Sequence, residues 1–210
     1  MKITLIIVLV VIILLVIWSI IGYFSSRVEQ AKYTVIKNAN GYEIRNYPAH
    51  IVAETTVSGP GGEALNKGFS IVAGYIFGGN VQKQSIAMTA PVIARKDASE
   101  KIAMTAPVVA SKEGDMQVIS FGMPSSYSLS TLPMPTDPNV KLVEIPEEKV
   151  AVVTSSWYRT DSRVQNMEKE LLSFLTRDGI KTVGPFSYAG YNAPWTPPWM
   201  LRNEVMIQIQ

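Results

Sequence analysis

"YEIRNYPAHIVAETTVSGPGGEALNKGFSIVAGYIFGG", residues 42–79, changes its hydrophobic period part-way along. Residues 42–57 are rich in β-branched and aromatic side chains, and Pro48 cannot donate to a ladder, so two strand pieces parted at that proline are predicted. The Gly- and Pro-rich run 58–62 then punctuates the chain. From Glu63 to Phe77 the period becomes helical. Leu65, Phe69, Val72 and Ile76 stand at i, i+4, i+7 and i+11 on one stripe, Glu63 suits the positive end of the dipole, and Gly78-Gly79 ends the element.

The same order returns 99 residues later. Residues 150–157 predict a strand, and Asp161 is placed to cap a helix whose Val164, Leu171 and Leu175 form an apolar face before Gly179 stops it. Leu65 maps onto Val164, Val72 onto Leu171 and Ile76 onto Leu175, so two strand–helix–strand–strand units are expected. Antiparallel strands from both make one sheet system carrying two helices, an α+β layer arrangement. Residues 124–140, rich in Pro and Ser, predict the loop that crosses between the units.

Within the first unit the chain writes IAMTAPV at 86–92 and again at 102–108. Side chains alternate along a strand, which puts Ile86, Met88 and Ala90 on one face, and Ile102, Met104 and Ala106 likewise. With a polar turn between them, the copies are expected to be the two arms of one hairpin. Pro91 and Pro107 belong at strand ends, edges or bulges.

Residues 3–24 carry no charge, and 22 residues at about 1.5 Å each make about 33 Å, enough for a bilayer core of about 30 Å. A cleaved signal peptide is the rival. Its apolar stretch is normally about 7 to 15 residues and ends in an A-x-A-like site, which does not follow here. We therefore expect a single-pass, N-terminally anchored membrane protein with an anchor at 3–24, a linker at 25–32 and a domain at 33–210. Lys2 on one side, and Arg27 and Lys32 on the other, leave the orientation open. Nineteen basic and seventeen acidic side chains give a net charge of +2 with no basic stripe, which argues against nucleic-acid binding. The chain has no cysteine, so disulfides, thiolate metal sites and covalent c-type haem attachment are excluded.

Four phrases, YEIRNYPA (42–49), IAMTAPV, FGMPSSY (121–127) leading into LPMPTDPNVKL (132–142), and AGYNAPWTP with RNEV (189–205), run in an order similar to that of the SOUL haem-binding family. The resemblance covers nearly all of 33–210. It implies a distorted antiparallel β-barrel of two pseudo-symmetric halves, one helix on each, that binds haem or a related tetrapyrrole non-covalently. Some members place a histidine directly after YEIR, where this chain has Asn46; others direct basic residues of the first helix at the haem propionates, where this chain has Asn66 and Gly74.

His50 is the single histidine, so an imidazole ligand to iron has to come from it; an ordinary strand-end histidine is the alternative. Met88 and Met104 carry thioethers that serve as axial ligands or fill irregular core gaps, the commoner use. Phe69, Ala73 and Phe77, at i, i+4 and i+8, are the expected wall of an apolar groove beside the first helix. Tyr75, Trp195 and Trp199 offer stacking surfaces, although aromatic residues in a Pro-rich turn also cover sheet edges or meet membranes. Lys67 and Arg202 are candidate propionate partners. The candidate cofactor set is His50, Asn66, Phe69, Ala73, Phe77 and Met88, with His50 as the metal ligand. Nucleophile elbow, P-loop, dinucleotide and zincin motifs are all missing, so no catalytic residue is assigned and the chain reads as a non-enzyme. The expectation is a membrane-anchored holder of a tetrapyrrole, with an interaction or lipid-contacting scaffold as the alternative.

Overall fold

The computed structural model describes residues 2–96 and 116–210. Helix α1 (Lys2–Ser25) is followed by β1 (Glu29–Gln30), β2 (Thr34–Ala39), β3 (Tyr42–Tyr47), β4 (His50–Ser58) and α2 (Gly61–Ile76). Then come β5 (Thr89–Ala90), β6 (Val92–Lys96), β7 (Met116–Gly122), β8 (Lys141–Ile145), β9 (Glu148–Ser155), α3 (Asp161–Arg177), β10 (Thr182–Gly190) and β11 (Asn203–Ile209), with a short 3-10 turn at Pro198–Met200. Pro48 parts β3 from β4 as expected. The cap of α3 is Thr160, whose hydroxyl accepts from Arg163 N at 3.2 Å, so Asp161 is the first helical residue and not the cap.

Nine strands form one antiparallel sheet in the order β2-β3-β9-β11-β10-β6-β7-β4-β8, and β1 pairs in parallel with β5 beside it. The sheet does not close into a barrel, which corrects the expected architecture. Only Pro146 and Glu147 join β8 to β9, so those strand ends stand within about 11 Å and the sheet must curl to bring them together. Yet both edges of β9 are already taken, one by β3 and the other by β11, so β8 cannot pair with it, and β8 and β2 remain the two outer strands, unpaired with each other.

Helix α2 packs on β4 and β7, where Val72, Tyr75 and Ile76 meet Ala53, Ile119 and Phe121. Helix α3 packs mainly on β9 and β11, where Met167, Leu171 and Leu175 meet Ala151, Val153, Val205 and Ile207. Alternation along the strands sends Val52, Glu54, Val152 and Met206 to the opposite, concave face. The two helices thus cover the flanks of one face, and the Val92 end of β6 and the Tyr188–Gly190 end of β10 lie in the gap between them.

Of the expected hairpin only the first arm falls within the described residues, and only its end is strand. Val92, which ends the first IAMTAPV, pairs with Phe121 of β7 on one side and Gly190 of β10 on the other. Residues 83–88 are irregular, Thr89 and Ala90 are both buried, and the Ala90–Pro91 peptide is cis. The second copy lies outside the described residues.

Among the described residues α1 is the one helix long and apolar enough to cross a membrane, a property shared by anchors and signal sequences. Its last turns touch the domain. Trp18 Nε1 donates to the Trp195 carbonyl at 2.8 Å, Asn192 Nδ2 donates to Ser26 Oγ at 2.9 Å, and Gly22 is buried against Pro197. A Cβ on Gly22 would stand 2.5 Å from Pro197 Cδ, so only glycine permits that approach.

Candidate functional site

The gap between the helices is a groove of about 550 Å³. Leu65, Asn66 and Phe69 of α2 form one side, held at i, i+1 and i+4 by the helix; Val92 and Tyr188 form the floor, and Tyr158 and Arg159, from the β9–α3 loop, the other side. Tyr191, Ala193 and Pro194 close one end. That volume lies within the range of about 300–1,000 Å³ usual for small-molecule sites.

Two polar clusters set its electrostatics. Tyr188 OH donates to Asn203 Oδ1 at 2.6 Å, and Asn203 Nδ2 donates to the Trp157 carbonyl at 2.7 Å. The Arg159 guanidinium lies 5.2 Å from the Tyr188 ring centre and pairs with Asp161 at 2.9 Å, but its buried Nε has no hydrogen-bond partner. Gly61 and Gly62, at the start of α2, give that guanidinium room: a Cβ on Gly61 would stand 2.9 Å from Arg159 Nη2. At the closed end, Arg202 stacks on Tyr191 at 3.9 Å.

Behind Tyr191 lies a fully buried carboxylate, Glu204. It accepts from Arg45 Nη1 at 2.8 Å, Tyr191 OH at 2.8 Å, Arg202 Nε at 2.9 Å and Thr154 Oγ1 at 3.2 Å. Burial, reinforced by the Glu204 charge, holds the Tyr191 phenol far above its ordinary value, so it stays protonated. Two of the phrases singled out in the sequence, YEIRNYPA and RNEV, meet here as one ion pair, Arg45–Glu204.

The predicted site residues are dispersed. Asn66 and Phe69 line the groove, and Phe69 packs on Phe121 at 5.2 Å. Ala73 is buried in the α2 interface, Phe77 is exposed at the helix end, and Met88 packs half-buried against the α2 core cluster. His50 stands in a separate cleft of about 390 Å³ with Pro48, Ile51, Thr89, Met123 and Tyr127. Its Nδ1 bonds the Pro48 carbonyl at 2.9 Å; since a carbonyl only accepts, Nδ1 carries a proton, and in the neutral ring the lone pair is on Nε2. Lys67 is exposed on α2 outside the groove lining, and Arg202 lines the groove but is engaged by Glu204, Gln30 and Tyr33. Tyr158, Arg159 and Tyr188 were not anticipated. The signal for Arg159 was its place directly after the Trp157-Tyr158 pair at the exit of a predicted strand, where a loop aims side chains over the sheet.

The groove fits the periphery of a tetrapyrrole. It has aromatic walls for a flat apolar ring and, in Arg159, a buried donor with spare capacity for a carboxylate. It does not fit the iron: no His, Met or Cys lines it, and burial keeps Tyr188 and Tyr191 protonated. Among the described residues no cluster of three or more His, Asp or Glu offers a metal site.

An antiparallel sheet with two helices on one face defines an α+β domain, and the groove between them is concave and mostly apolar, as small-molecule sites are. A family model described as SOUL heme-binding protein matches residues 28–100 and 93–208, and the chain belongs to that family. Among solved structures it resembles the C-terminal domain of EcmrR, at 12% identity and TM-score 0.57, covering 85% of this chain and 98% of that one. It is also similar to an uncharacterized conserved protein from Listeria innocua, at 12% identity and TM-score 0.55, covering 80% of this chain and 92% of that one. A hydrolase from the same organism aligns at 11% identity and TM-score 0.54, covering 83% and 94%. At such identities these likenesses speak to the fold alone. No curated protein matches the chain.

Proposed function

We propose that this protein is a non-catalytic, membrane-anchored holder of haem or a related tetrapyrrole. The ring lies non-covalently in the groove between α2 and the β9–α3 loop, over β6 and β10. The observation that carries this reading is the buried, unpartnered Arg159 Nε within an aromatic-walled groove, in a chain of a family described as haem-binding. Burial of the ring supplies most of the affinity, at about 25 cal/mol per Å² of apolar area before association costs. Arg159 receives a propionate. The two-half organisation also belongs to this reading: β4-β7-β6 and β9-β11-β10 each run first strand, last strand, middle strand of a strand–helix–strand–strand unit.

Anchoring is supported by the contacts of Trp18, Gly22 and Ser26 with residues 192–197. A leader that is cut away has no use for a glycine matched to a proline of the mature domain.

Haem titration of the full chain in detergent micelles tests the site. Loss of a hydrogen bond to a charged group costs about 1.5–3 kcal/mol, so Arg159→Ala is expected to weaken binding about tenfold or more, and Phe69→Ala to weaken it as well. Unchanged affinity in both variants removes the groove from consideration. A second reading rests on the free Nε2 of His50, which points to axial ligation in the neighbouring cleft. It predicts a displaced Soret band in His50→Ala, whereas the groove reading predicts none.

A further inference from the structure

Residues 193–201, APWTPPWML, carry no charge, yet Trp195 and Trp199 are 59% and 46% exposed. We propose that this segment, with Trp157, is a membrane-docking element that seats the domain in the headgroup layer beside α1, so that the groove opens at the lipid surface. The proposal rests on the reading of α1 as a span and commits to one partner, the bilayer interface.

Depth follows from the helix. Trp18 precedes Ser25, the last residue of α1, by seven residues, or about 10 Å of helix, and Arg27, the first charge after Lys2, follows just beyond, while a headgroup layer is only about 5–8 Å deep on each side. With the end of α1 and Arg27 in the headgroup layer, Trp18 sits at or below its inner boundary. Trp195 is tied to that level because its carbonyl accepts the Trp18 indole at 2.8 Å, and Trp199 meets the Trp18 ring edge-on at 5.4 Å. Aromatic rings with one polar handle concentrate at this depth.

The backbone of the segment is prepared for poor hydration. Pro194, Pro197 and Pro198 have no N–H to satisfy. The carbonyls of Ala193, Pro197 and Pro198 accept from Thr196, Met200 and Leu201, and Pro198 also accepts from Trp157 N at 2.8 Å. Trp157 itself has φ +83°, a left-handed conformation that a bulky side chain rarely adopts, and it is 47% exposed. Strain spent on presenting an indole to water is hard to explain; strain that turns it toward lipid, on a backbone bonded to Pro198 of the same segment, has a purpose. Tyr158, Ala193 and Pro194 belong both to this surface and to the groove lining, so the groove's mouth adjoins it.

Single-tryptophan forms of the full chain, retaining only Trp18 or only Trp195, are reconstituted into phosphatidylcholine vesicles containing lipid brominated in the upper acyl chain. Quenching of most of the Trp195 emission is expected. Trp195 left bright by lipid but quenched by aqueous iodide overturns docking, and a form retaining only Trp199 repeats the test should one substitution disturb the fold. Anchoring stands or falls separately on the Trp18 signal. Haemin pre-dissolved in vesicles should enter Trp195→Ser/Trp199→Ser severalfold more slowly at unchanged equilibrium affinity; equal rates overturn the opening of the groove toward lipid.

Discussion

Glu204 shows how much one side chain can hold in place. A fully buried carboxylate is tolerable only because two guanidiniums, a phenol and a hydroxyl surround it. Arg45, itself 3% exposed, also bonds Glu43 and stacks on Tyr33 at 4.3 Å. Removing one partner strands the other's charge, so Glu204→Gln is expected to lower stability by about 3–5 kcal/mol, measured by urea unfolding of the full chain in micelles. Arg45→Met added to Glu204→Gln should cost much less than the sum of the single changes, because the stranded charge disappears with it. Both residues stood in phrases marked in the sequence, but 159 positions apart nothing showed that they touch.

At the scale of elements, α2 lies close on the sheet because of a glycine. A Cβ on Gly68 would come 2.3 Å from Ile119 Cγ1, whereas one on Gly74, on the same helix, would meet nothing within 4 Å. Gly68→Ala therefore overpacks the interface and should destabilise by about 1–3 kcal/mol. Gly74→Ala should stabilise by about 0.5–1 kcal/mol through backbone entropy alone, and thermal melts of the pair check both signs. The apolar stripe of α2 was legible from its spacing, since Val72 and Ile76 face the core. Phe77 illustrates the limit of that pattern: it continues the i, i+4, i+8 series from Phe69, but the helix ends at Ile76 and releases it to solvent.

Across the whole molecule, the curl of the sheet brings β4, β6 and β9 around one polar interior. There Glu148 is pushed above the usual glutamate range by burial, with His50 and Arg95 opposing the shift. A carboxyl raised on folding binds its proton more tightly in the native state, so its ionisation opposes folding. The cost is absent below the ordinary glutamate value of about 4.3, grows as pH rises toward the raised value, and is complete above it. Glu148→Gln should accordingly be more stable than the parent at neutral pH and lose that advantage in acid, as urea midpoints measured across that range will show. The sequence by itself determined the apolar first helix, the strand break at Pro48, the position and facing of α2 and α3, and the family, because period, proline and phrase are local properties of the chain. Tertiary structure alone decided that the sheet stays open, since its outer strands β2 and β8 do not pair with each other. It also decided that the groove lies over β6 and β10, and that His50 and Phe69 face different clefts, because which strands the helices leave bare depends on pairings between residues far apart along the chain.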